Sequence, residues 1–150
     1  MEPLSITASA LTIASRVIPA AIHIHGVWTQ YQEAPQTILD LVEELQLLRT
    51  CLVQLENVLR RDGVSITLDL EDVFAIAVRG CRATLLCLEQ EFDTLRGQDD
   101  WWTRIVVLWR DNNIARLLAQ LARKKSSIML LMQCLNLYVA LVIITHTHTC

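Results

Sequence analysis

Turn-forming residues are scarce in this chain, with four glycines and three prolines among 150 residues, and aromatic side chains make up only 5%. A β-sandwich or a doubly wound α/β sheet needs more turns and more β-branched and aromatic strand residues, so both are excluded. Glycines at positions 26, 63, 80 and 97 alone cannot assemble the GxGxxG or GxxxxGK[ST] loops that cradle phosphates. HExxH, GxSxG and kinase signatures are absent. The acidic pairs Glu43-Glu44, Glu71-Asp72 and Asp99-Asp100 read as solvated helix-surface groups and not as catalytic dyads. No catalytic residue, cofactor site or small-molecule substrate is therefore expected. Cysteines 51, 81, 87, 134 and 150 contain no CxxC pair, so most read as small core residues in a reducing compartment. Glu2 replaces the basic start of a signal peptide and Arg16 interrupts the apolar stretch, which makes a cytoplasmic location the expectation.

What the chain does have is leucine, at helical spacing. A turn-poor, leucine-rich chain of this length predicts an all-α fold, a bundle of four to five helices in one domain. The expected plan is an apolar N-terminal helix over 1–28, a bundle over 35–140 and a disordered tail over 145–150. The mean hydropathy of +0.36 also raises the question of a membrane.

In residues 4–28 the polar positions Ser5, Ser9, Thr12, Arg16 and His23 fall on one helical stripe. Ile6, Ala10, Ile13, Val17, Ala21, Ile24 and Trp28 line the other face. Pro19 predicts a kink or break, and Gly26 an end. Pro35 suits the first turn of a second helix, in which Ile38, Leu41, Leu45, Leu48, Leu52, Leu55 and Leu59 alternate spacings of three and four. That is the seam of a bundle helix or coiled coil, closed by Arg60-Arg61 and the stop Asp62-Gly63. A third helix from Asp69 repeats the spacing through Phe74, Val78, Cys81, Leu85, Leu88, Phe92 and Leu95, until Arg96-Gly97. Trp101 to Trp109 forms a short tryptophan-rich helix. Asp111-Asn112-Asn113 caps a last helix that uses Ile114, Leu117, Leu121, Ile128, Leu131 and Leu135, with Ser126-Ser127 loosening its middle. The two leucine seams are expected to bury against each other.

Charge is distributed unevenly. Residues 101–150 carry six basic side chains against Asp111 alone, while the first hundred hold seven basic and fifteen acidic ones. Arg116, Arg123, Lys124 and Lys125 form a candidate basic patch, either solvated beside acidic helices or turned toward anionic lipid or an acidic partner. Nucleic acid is not expected, because no aromatic stacking platform accompanies the patch. His23 and His25 lie on opposite sides of a helix, and His146, His148 and Cys150 on a tail make at most an adventitious zinc site, so no metal is assigned. From Ile128 to Ile144 only Gln133 and Asn136 are polar among 17 residues. This run is slightly short for a membrane span and is expected to pack in the bundle, with a tail anchor as the alternative.

The opening Met1-Glu-Pro-Leu-Ser-Ile-Thr-Ala-Ser-Ala-Leu resembles the start of a fungal N-terminal domain found ahead of NACHT, ankyrin and other repeat modules. This is the HeLo-like group, which includes the N-terminal domain of azaphilone pigment biosynthesis cluster protein L. Its pattern is an acidic residue followed by Pro-Leu-Ser-[Ile/Val]-x-Ala-Ser. The similarity continues in Leu45–Leu59, in Ala83–Leu95 and from Trp109 to Ile128, where Leu121 to Ser126 look like the family's Leu-x-x-x-Lys-Ser helix end. It covers roughly residues 1–137. The resemblance implies a non-catalytic helical domain of NOD-like receptor signalling or cell death, working through protein partners or self-association. It also implies release of the apolar first helix into membrane, a role that would fall here on Ile6, Ala10, Ile13, Val17, Ala21 and Ile24. The rival readings are a coiled-coil-like module zipped through Ile38–Leu59, and a small tail-anchored membrane protein.

Overall fold

A computed structural model describes residues 3–31, 33, 35–60, 68–95, 100–110 and 112–148. Among them the chain forms five helices and no strand: α1 Pro3–Tyr31, α2 Gln36–Arg60, α3 Leu68–Asp93, α4 Trp101–Arg110 and α5 Asn113–His148. The expected all-α bundle is what the chain adopts. The predicted stops Arg61-Asp62-Gly63 and Arg96-Gly97 lie outside the described residues.

Two ion-pair and hydrogen-bond ties fix the direction of α3 against α1. Arg16 Nε lies 3.2 Å from Glu89 Oε2, and Arg82 Nε donates to Ser9 Oγ at 2.8 Å. Both pairs are 73 residues apart, so α1 and α3 run parallel. The cavities between α2 and α5 match residues 40–47 with 115–122 and residues 47–58 with 125–136, so these two also run parallel. α1 and α2 are antiparallel neighbours.

Helix α1 packs on α2 and α3, and so does α5, whereas no Cα of α2 comes within 8 Å of one of α3, nor α1 of α5. The four long helices thus form a square in which α2 and α3 sit on a diagonal. The two leucine seams share one core cluster across this diagonal, without their backbones coming within 8 Å. Each seam fills the centre of the square, but its backbone neighbours are α1 and α5. Ile38, Leu41, Leu45, Leu48, Leu52 and Leu55 are buried and Leu59 is partly so, facing Phe74, Val78, Cys81, Leu85, Leu88 and Phe92.

Helix α1 also differs from expectation. It runs unbroken through Pro19 and past Gly26 to Tyr31. Pro19 removes one backbone hydrogen bond, yet its own side chain is exposed, while Val17, Ala21 and Ile24 around it are buried. Packing of that inner face holds the helix across the lost bond. Ser126-Ser127 likewise leave α5 intact, with Ser127 Oγ donating back to Arg123 O at 3.1 Å. Between α4 and α5, Asn112 adopts a left-handed φ of 59°, a conformation asparagine tolerates better than most residues. Its carbonyl then accepts the Arg116 N–H at 3.0 Å to start α5.

One end of the square is closed by three tryptophans. Trp28 of α1 meets Trp102 and Trp109 of α4 edge-to-face, at centroid distances of 5.1 and 5.6 Å, and Trp109 Nε1 donates to Thr37 Oγ1 at 3.1 Å. At the other end α5 outruns the bundle. Residues 58 and 136 border the same groove, so the end of α2 at Arg60 is level with the late 130s of α5. The rest of α5, roughly 15 Å of helix, extends past the end of α2, and residues 140–148 are exposed. The tail expected to be disordered over 145–150 is helical as far as His148; Thr145 and Thr147 donate to carbonyls at 141, 142 and 144, satisfying their hydroxyls without leaving the helix.

Placing a carboxylate in the square leaves it without a partner. Leu48→Asp or Leu52→Asp is expected to cost about 3–5 kcal/mol, read as a lower midpoint in thermal or urea unfolding followed by circular dichroism. Leu141→Asp, exposed in the single chain, is expected to cost far less and to leave the bundle folded in the same experiment.

Candidate functional site

Three sets of residues carry the functional expectations, and the bundle treats them differently. The α1 face of Ile6, Ala10, Ile13, Val17, Ala21 and Ile24 is buried, together with Ala14 and Trp28. It lies between α2 and α3 as one wall of the core. The small side chains Ala10, Ala14 and Ala21 leave room for the large ones opposite. In this state the face is covered, and only a rearrangement that opens the square could present it. The opposite stripe is solvated or half-solvated: Ser5, Thr12, Arg16 and His23 are exposed and Ser9 is partly buried.

The α2 seam is equally enclosed. Ile38, Leu41, Leu45, Leu48, Leu52 and Leu55 have no surface to offer a second chain, so in the folded square this seam is not open to act as the zipper between molecules. Those residues are the core.

The basic residues do not converge on one patch. Lys125 turns toward α2, where its Nζ lies 2.8 Å from Glu44 Oε1, both side chains being largely covered. That oxygen is buried with no hydrogen-bond geometry of its own, so the attraction is Coulombic. Lys124 turns the other way, toward α3, and lies over Gly80. A Cβ at Gly80 would come within 2.9 Å of the Lys124 ammonium nitrogen, so the missing side chain provides the space for the lysine stem. Arg116 and Arg123 alone remain exposed on the outer side of α5. The four residues therefore split into two clamps on α2 and α3 and two surface charges.

Beneath the lysines sit two buried thiols, Cys51 and Cys81. Burial pushes Cys81 up to about 12 from its ordinary 9.0, with the neighbouring Cys51 adding to the shift and Lys124 opposing it. Burial also raises Cys51, against an opposing pull from Lys125. Thiols held protonated are poor nucleophiles and poor metal ligands. Cys87 and Cys134 are exposed, and Cys150 lies outside the described residues.

Two features were not anticipated. A groove of about 720 Å³ runs between α2 and α5, lined among others by Met129, Met132, Gln54 and Gln133 and floored by Cys51 and Lys125. And the run Ile128–Ile144, expected to pack in the bundle, does so only in its first part. Ile128 and Leu135 are buried and Leu131, Met132 and Val139 half-buried, whereas Leu137, Tyr138, Leu141, Val142, Ile143 and Ile144 are exposed. Both α1 and α5 are long and apolar enough to cross a membrane by length and composition. The most apolar 18-residue stretch of α5 has a mean hydropathy of 2.2 and is 17% buried, against 1.4 and 39% in α1. The fold has thus covered the less apolar of the two and left the more apolar one open.

Structure and surfaces together define a helical-bundle domain with an enclosed apolar first helix and an open apolar last helix. The model of the pigment biosynthesis cluster protein PigL N-terminal family matches residues 1–147, and the chain belongs to that family, the one its opening residues resemble. No curated protein and no solved structure is significantly similar to it.

The raised thiols give a direct check on the core. Iodoacetamide at neutral pH is expected to modify Cys87 in the native protein and to spare Cys51 and Cys81 until denaturant is added, as read by peptide mass spectrometry. Because a buried thiol ionises later than the same thiol in the unfolded chain, its stabilising contribution is complete below pH 9. It declines as pH rises toward 12, since the unfolded state then gives up its proton first.

Proposed function

We propose that this domain is a non-catalytic signalling and interaction module that works by self-association and by conditional insertion of α1 into anionic membrane, in the manner of a cell-death effector. The observation that carries the reading is the character of α1. Over 29 residues it holds a single full charge, Arg16, and at 1.5 Å per residue it is about 43 Å long, more than the ~30 Å hydrocarbon core of a bilayer. Two side-chain ties, Arg16–Glu89 and Arg82–Ser9, link it to α3. The first is exposed and worth little on its own, so apolar burial is what retains the helix. Hydrocarbon could replace that burial, and the Arg16 stem is long enough to reach headgroups. Before activation such a protein is cytoplasmic; afterwards it is membrane-associated. Family membership supports a role as an N-terminal domain, and its lack of nucleotide, metal or nucleophile motifs supports a role without catalysis.

The test is leakage of anionic liposomes by the full chain. Loosening the ties with Arg82→Ala and Glu89→Ala is expected to raise leakage several-fold while circular dichroism remains helical. Val17→Glu in that loosened background is expected to abolish it. Should the loosened protein neither bind nor permeabilise anionic liposomes, insertion is ruled out and a plain interaction domain is left.

A further inference from the structure

The exposed end of α5 has a pattern of its own. Leu130, Cys134, Leu137, Leu141, Ile144 and His148 follow one another at spacings of 4, 3, 4, 3 and 4, the repeat of a coiled-coil seam. All six are exposed, Leu130 and Leu141 by 61%, Leu137 by 66% and Ile144 by 51%. At 100° per residue this stripe lies nearly opposite the inner one, Ile114, Leu117, Leu121, Ile128 and Leu135, that packs into the bundle. A helix with a seam on each side is built to hold a neighbour on each side. Among the described residues the bundle supplies one, on the inner side.

We infer that the outer face of α5 docks on the same face of a second copy of this chain, with the two helices antiparallel. The seam is self-complementary in that direction. Pairing Leu137 with Leu141 of the other copy sets Cys134 against Ile144 and Leu130 against His148, and every layer then joins an a to a d position. Charge favours the same direction. Upstream the outer face becomes basic, with Arg116 and Arg123 exposed; a parallel pair would set each arginine against its own copy, whereas the antiparallel pair keeps them clear of the overlap. It also brings the negative end of one helix dipole toward Arg123 of the other. The overlap from residue 130 to 148 is about 28 Å long and aligns all six seam positions of each copy with those of the other.

A bilayer suits this end less well. A span needs about 20 residues, but Ile128 and Leu135 are already in the bundle core. The free part alone, inserted upright, would carry His146 and His148 to about the bilayer midplane, where polar side chains are costly. Docking of a second copy rests on the self-association part of the reading above and not on release of α1, so it is tested without lipid.

Sedimentation velocity on the full chain at micromolar concentration is expected to show a dimer. Leu137→Glu combined with Leu141→Glu should halve the mass while circular dichroism shows the bundle still helical, since neither side chain is buried within one chain. Orientation is read by copper-phenanthroline oxidation in a Cys87→Ser, Cys150→Ser background. Cys134 alone should stay unlinked, and adding Ile144→Cys should give a covalent dimer through Cys134 and the new thiol. A wild-type monomer, a dimer that survives the double glutamate substitution, or ready Cys134–Cys134 linkage would each overturn the proposal. So would flotation of the wild-type monomer with liposomes that the double variant loses.

Discussion

Burial of the inner face of α1 is the interaction on which the rest of the bundle depends. α2 and α3 never touch as backbones; each is positioned by α1 on one side and α5 on the other. The alanines at 10, 14 and 21 let α1 sit close enough for the leucines of α2 and the phenylalanines of α3 to meet over it. Larger side chains there would spread the square, and smaller ones opposite would leave cavities. The same burial that completes the core also covers a helix long and apolar enough, by length and composition, to cross a membrane. The release of α1 proposed above would have to give up that burial.

Helix α5 resolves a different conflict. Its first half must fit between α2 and α3, and the successive residues Lys124 and Lys125 reach to opposite sides, one over Gly80 and one to Glu44. These are positioning contacts: partly covered charges on flexible stems that set where α5 lies along its two neighbours. Past the end of α2 the helix continues with its own backbone hydrogen bonds, and Leu137, Leu141, Val142, Ile143 and Ile144 are exposed. An isolated helical extension of that length is marginal in water, so burial on a second surface would contribute directly to keeping it folded.

Much of this was legible in the sequence. The alternating three-and-four spacings of Ile38–Leu55 and Phe74–Leu95 identify both the helices and their buried faces, because leucine at that spacing has few other uses. The stripe of α1 from Ile6 to Trp28 was equally clear. Its length was not, since Pro19 and Gly26 are local stop signals that tertiary packing overrides. The diagonal placement of α2 and α3 was hidden because a seam shows which face is buried and not what it is buried against. In Ile128–Ile144 two stripes on opposite sides of one helix overlap in the sequence and read as uniform hydrophobicity; only where α2 ends separates them. The basic residues looked like one patch because 116, 123, 124 and 125 are close along the chain, yet adjacent residues on a helix point about 100° apart. The tryptophan closure joins residues 28, 102 and 109, a contact no local spacing predicts.

The parallel pairing of α1 with α3, through partners 73 residues apart, bears on how the chain is made. Ribosomes add roughly 5–20 residues per second, so the side of α1 that α3 covers emerges some four to fifteen seconds ahead of its cover. α2 arrives sooner and shields only the other flank. During that interval the α1 segment, which carries Arg16 as its one full charge, lacks the burial that α3 gives it in the folded bundle.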